Sequence, residues 1–104
     1  SGKTGVDVEK LADRVIKGKR FYMNEAETAL SETSALGDID ASLRVWSIKE
    51  CVSKALDLKL YEAWRLSEVV RVGESESAVV VNGREYTARH DRVDDHLFTL
   101  LVMD

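Results

Sequence analysis

Hydrophobic and polar positions change their period partway along the chain. Val45, Ile48, Val52, Ala55 and Leu56 converge on one side at about 100° per residue, which predicts a long helix over 41–58 with a broad apolar stripe. Asp38 or Asp40 can cap it. Beyond residue 65 the pattern alternates, and strands are predicted over 66–72, 78–81, 84–90 and 97–102. Asn82-Gly83 is a two-residue hairpin turn, because such turns need positive φ at both positions. The stretch 97–102 is apolar on both faces and is expected inside the sheet, with the helix over one side. Nearer the start, 6–9 alternates as a short strand, and 10–17 spaces Leu11, Val15 and Ile16 as an amphipathic helix ended by Gly18. Asn24 can cap a helix running to about residue 36, where Gly37 breaks it. Residues 59–63 read either as another helical turn or as entry to a strand, with Tyr61 and Trp64 as core or rim aromatics. The expected fold is α+β: an antiparallel sheet of about four to five strands packed against a long central helix.

At 104 residues and 44% hydrophobic content the chain suits one modest core, so residues 1–104 are read as a single domain. The net charge of −4, with no compensating basic block, argues against nucleic acid as a partner. No apolar run approaches the eighteen or so residues of a membrane span, so no membrane association is expected. Cys51 is the only cysteine and sits among apolar helix positions, which fits a reduced thiol and a cytoplasmic setting.

Candidate chemistry centres on two places. In the long helix, Trp46, Glu50 and Lys54 fall on the side away from the apolar stripe, and Glu50 precedes Lys54 by one turn. That spacing is also what an ordinary solvated i,i+4 pair uses, worth roughly 0.2–0.5 kcal/mol. The second place is the strand over 6–9, where Asp7 and Glu9 share a face while Val6 and Val8 are expected to enter the core. Two carboxylates held together are best accommodated by a cation between them. With Glu50 they would make an oxygen-rich site suited to Mg²⁺, an ion that keeps several waters and takes phosphate oxygens. Lys17, Lys19 and Arg20 form a basic cluster that either complements a helix dipole or contacts a charged partner. Gly2-Lys3-Thr4 lacks the preceding strand and earlier glycine of a phosphate-binding loop. The run 90–96 is read as a turn rather than a metal site, and neither histidine is assigned to a catalytic triad.

Gly5-Val6-Asp7-Val8-Glu9, followed about forty residues later by Trp46-Ser47-x-Lys49-Glu50-x-x-x-Lys54, resembles the paired signature of 4′-phosphopantetheinyl transferases. Arg20-Phe21-Tyr22 with Glu25 and Glu27 between them is similar to the Arg-Phe-Phe stretch and following glutamate of that family. The wording of both motifs is closest to the C-terminal half of the long, surfactin-type form. The resemblance implies Mg²⁺-dependent transfer of 4′-phosphopantetheine from coenzyme A to a serine of an acyl or peptidyl carrier protein, as in fatty acid or polyketide biosynthesis. It implies Asp7, Glu9 and Glu50 as metal ligands, Glu50 and Lys54 as catalytic groups, and Lys49 and Lys54 as contacts to the cofactor phosphates. The His-Ser-type phosphate motif of the preceding half is absent, so the expectation is either a homo-oligomer or one half of a larger enzyme. A carrier-protein or coenzyme A binding module without turnover is the alternative.

Overall fold

The computed structural model describes residues 3–12 and 14–104; the reading of Ser1 and Gly2 falls outside these. The elements run β1 (Lys3–Lys10), α1 (Arg14–Lys17), α2 (Lys19–Tyr22), α3 (Glu25–Glu32), α4 (Asp38–Leu56), α5 (Leu60–Leu66), β2 (Ser67–Arg71), β3 (Glu76–Val81), β4 (Arg84–Val93) and β5 (His96–Met103). The five strands make one antiparallel sheet in the order β1-β5-β4-β3-β2. The last four strands form a meander, and the first closes against the last, so β5 lies inside the sheet as its two apolar faces predict. Asn82 and Gly83 both have positive φ between the paired residues Val81 and Arg84, the geometry of the expected hairpin turn.

α4 covers one face of the sheet. Val45, Ile48 and Val52 from the helix pack with Val69, Val79, Ala88, Leu97 and Leu101 from the strands. Its burial is wider than the apolar stripe suggests, because Arg44 and Lys49 are also enclosed. Lys49 is 1% exposed and its Nζ lies 2.9 Å from Oε1 of Glu27, itself 0% exposed. Glu27 closes a reciprocal capping box with Asn24 at the start of α3 and accepts from the Val69 amide at 2.7 Å. One buried carboxylate therefore joins α3, α4 and β2.

The strand β1 has the opposite facing from that expected. Asp7, not its valine neighbours, points under α4, while Val6 and Val8 are 54% and 49% exposed on the other face. The reason is at Gly5: a Cβ there would stand 2.0 Å from the carbonyl oxygen of Cys51, so the β1 backbone rests directly on the α4 backbone. With Gly5 inward, alternation puts Asp7 and Glu9 inward too. On the outer face Val6 pairs with Leu100, Val8 with Phe98 and Thr4 with Val102, leaving an apolar surface not covered by any element among the described residues.

Other boundaries move by local chemistry. The helix expected over 10–17 contracts to α1, and a second short helix, α2, follows Gly18. α3 stops at Glu32, short of residue 36, with Thr33 accepting no further helical geometry (φ −98°, ψ 0°). The ambiguous 59–63 segment is helical, begun by a bond from the Lys59 amide to the Glu62 carboxylate. The loop read over 91–95 shrinks to Asp94 and Asp95, because β4 stays paired with β5 through Val93 and His96. No helix is long and apolar enough to cross a membrane among the described residues.

Candidate active site

Each candidate side chain is placed by the contact between β1 and the middle of α4. Asp7 is 4% exposed and uses both carboxylate oxygens: Oδ2 accepts from Ser47 Oγ at 2.8 Å and Oδ1 from Lys54 Nζ at 3.1 Å. Lys54 also donates to the Val6 carbonyl at 3.0 Å, so its ammonium is tied to the strand that carries the acids. Burial works against that charge, but the bond and attraction to Asp7, then Glu50, outweigh it and hold the lysine pKa above its ordinary value.

Glu9 and Glu50 are half-buried beside this pair. Burial, then a hydrogen bond and like-charge repulsion from Asp7, push Glu9 up from 4.5 to about 7, with Glu50 adding to the effect and the Trp46 side chain opposing it. Glu50 is raised by burial first and Asp7 second, against the pull of Lys54. Asp7 and Glu50 thus act on the Lys54 ammonium, and Glu9 stands against Asp7. Among the described residues there is no cage of three or more His, Cys, Asp or Glu side chains that could hold a metal ion. Mg²⁺ does not require one, since it commonly binds through one or two carboxylates, waters and substrate phosphates. The excess negative charge and the all-oxygen donor set fit that ion.

Two expectations need correction. Lys49 is not in this site: its ammonium faces the opposite flank of α4 and is consumed by Glu27 and the carbonyl of Ser67 at 3.2 Å. Its pKa is lowered by burial, with Glu27 opposing. The Glu50–Lys54 flank is also not a bare solvated face, because it lies against β1 and Trp46 packs there. Trp46 sits 5.2 Å from Tyr22 in an edge-to-face contact and 5.9 Å from Trp64. Within the basic cluster, Lys19 is bonded to Asp38 at 2.8 Å, whereas Lys17 and Arg20 are exposed.

A cavity of about 520 Å³ opens beside Glu9, walled by Val15, Phe21, Tyr22, Leu43, Trp46 and Trp64. Among the described residues, Trp64 Nε1 is a buried donor without an acceptor. The cavity was not legible in the sequence, since its wall is assembled from β1, α1, α2, α4 and α5.

An apolar cavity thus opens beside an acidic, lysine-bearing cluster. The chain matches the 4′-phosphopantetheinyl transferase superfamily over residues 3–101 and belongs to it, a family of transferases for the phosphopantetheine arm. Comparison with curated proteins finds no match.

Proposed function

We propose that this chain carries the acidic half of a site that transfers 4′-phosphopantetheine from coenzyme A to a serine of an acyl or peptidyl carrier protein. The observation that carries this reading is the bond from Lys54 to Asp7 next to Glu9 and Glu50, which gathers carboxylates and ammonium from both motifs at one place. Asp7, Glu9 and Glu50 would hold Mg²⁺. The ion, when bound, supplies neutralisation of the pyrophosphate charge.

The chain's own groups divide the remaining work. Glu50, made more basic by burial and by Asp7, takes the proton of the carrier serine as its oxygen attacks the phosphorus. The phosphorus–oxygen bond to adenosine 3′,5′-bisphosphate breaks as the new ester forms. Lys54, held cationic by Asp7, stands against the negative charge accumulating on the phosphoryl oxygens. The aromatic cavity beside Glu9 accommodates the pantetheine arm. Lys17 and Arg20, both exposed, are the contacts offered to an acidic carrier.

The second wall of the coenzyme site comes from another copy or from a further half-domain. The outer sheet face, turned away from the acids, carries Val6, Val8, Phe98, Leu100 and Val102 exposed together and offers such a partner a docking surface. The reduced, buried Cys51 suits a cytoplasmic enzyme; burial pushes its thiol up to about 12.

Calorimetric titration of coenzyme A, with and without Mg²⁺, into the wild type, Asp7→Asn and Glu50→Gln tests the proposal. Metal-dependent binding lost in both variants, followed by transfer to a carrier protein, is expected. Equal affinity in all three would sink it; metal-dependent binding with no transfer would leave a binding module.

A further inference from the structure

A line of buried polar side chains crosses the inner face of the sheet beneath α4, at positions where the neighbouring side chains are apolar. It starts at Asp7 on β1 and passes to Ser47 on α4, with 2.8 Å from Ser47 Oγ to Asp7 Oδ2. Ser47 Oγ is 2.8 Å from Thr99 Oγ1 on β5, and Thr99 Oγ1 is 2.9 Å from His90 Nδ1 on β4. His90 Nε2 is 2.8 Å from Ser77 Oγ on β3, which in turn meets the Gly73 amide at 3.3 Å. Arg44 pins that far end by donating to the carbonyls of Gly73 and Glu74.

The carboxylate dictates the direction of every proton in this line. An ionised carboxylate only accepts, so the Ser47 proton goes to Asp7. The Ser47 oxygen is then free to accept from Thr99, and Thr99, having spent its own proton, accepts from His90 Nδ1–H. A neutral imidazole protonated at Nδ1 leaves Nε2 as an acceptor for Ser77, whose oxygen takes the Gly73 amide. Each hydroxyl donates once and accepts once. Burial and the nearby Arg44 lower the His90 pKa to about 4, so the ring stays neutral across the physiological range.

We infer that His90 is a positioning residue for Asp7: through Thr99 and Ser47 it locks the carboxylate with Oδ2 saturated and Oδ1 presented to Lys54 and the ligand site. This rests on the proposed function only in naming Asp7 as a metal ligand. Hydrogen-bond partners behind a ligand are commonly worth about tenfold to a hundredfold in metal affinity. Among the described residues the side chains of Ser47, Thr99 and His90 make no hydrogen bonds outside this line.

The test uses the full chain labelled with ¹⁵N at histidine, and Mn²⁺ alone as the probe. In the metal-free wild type, long-range ¹H–¹⁵N spectra should show His90 as the Nδ1–H tautomer. Thr99→Val, which keeps the shape and removes the hydroxyl, should release the tautomer into a mixture and weaken Mn²⁺ binding about tenfold. Thr99→Ser should restore both. If Thr99→Val does not fold, His90→Asn, which can still donate toward Thr99, should keep the Mn²⁺ affinity that His90→Leu loses. A wild-type His90 protonated at Nε2, or Mn²⁺ affinity unchanged in Thr99→Val or His90→Leu, would overturn the inference. A wild type with no Mn²⁺ affinity would count against the transferase reading alone, because the tautomer and its release in Thr99→Val test the line by themselves.

Discussion

Lys54 and Glu50 divide the chemistry by one helical turn, and each role has its own signature. Lys54→Ala should lower kcat by about a hundredfold to a thousandfold, the usual loss on removing a group aimed at developing charge, while coenzyme A binding falls less. Steady-state kinetics with the assembled enzyme separate the two quantities. Glu9 makes a prediction that needs no substrate. Its folded pKa of about 7 stands above the ordinary 4.5, so the proton is held by the folded chain. The stability it contributes is complete below about 4.5 and is lost as pH rises through about 7. Glu9→Gln should therefore raise the melting temperature at pH 8 and leave it unchanged at pH 4. Mg²⁺ competes with the same proton, so its affinity should climb over that interval in the wild type and less steeply in the variant, where Glu50 still holds a raised pKa. At this scale the motifs were readable because Asp7, Glu9, Glu50 and Lys54 are spaced by local periodicity. Lys49 was not, since its partner Glu27 is distant in sequence and nothing local shows that an ammonium is buried. His90 and Thr99 did leave a trace: they occupy inward positions alternating with Ala88, Leu97 and Leu101, where polar side chains need a partner.

The elements are held by a few buried groups at which several of them meet. Glu27 is the clearest, with the α3 start, Lys49 of α4 and the β2 amide all bonded to one carboxylate. Glu27→Ala strands the enclosed Lys49 charge and should destabilise the chain by about 3–5 kcal/mol in urea denaturation. A loss below about 1 kcal/mol would show that the pair is dispensable. Gly5→Ala should act differently, forcing β1 off α4 because the obstacle is backbone that cannot rotate away. Its expected signature is loss of the Ser47 and Lys54 bonds to Asp7, visible as shifted amide resonances along β1 and the centre of α4. The strands and the long helix were legible because their periods are regular and the Asn82-Gly83 turn is unambiguous. The facing of β1 was not, since Val-Asp-Val-Glu alternates equally well either way and a tertiary contact at Gly5 decides which face is inner.

For the molecule as a whole, the sheet has one face under α4 and one open face carrying five apolar side chains from two adjoining strands. Phe98→Asp should leave the fold intact, its side chain being on the open side, and abolish self-association or docking of a second half in sedimentation experiments. A variant that associates like the wild type would place the partner elsewhere. The antiparallel fold class followed from hydrophobic periodicity alone. The open face did not, because Val6 and Val8 were expected to enter the core and are instead exposed.

At Gly5 no side chain stands between the backbones of β1 and α4. The spacing between the acids of the strand and the lysine of the helix is therefore set by main-chain contact, the least compressible dimension in the fold. Exchanges of one core hydrophobe for another elsewhere will alter how firmly the chain is folded well before they alter that spacing. Drift in the core can thus proceed over many substitutions while the acids and the lysine stay in register, and a single methyl group at position 5 is enough to end it.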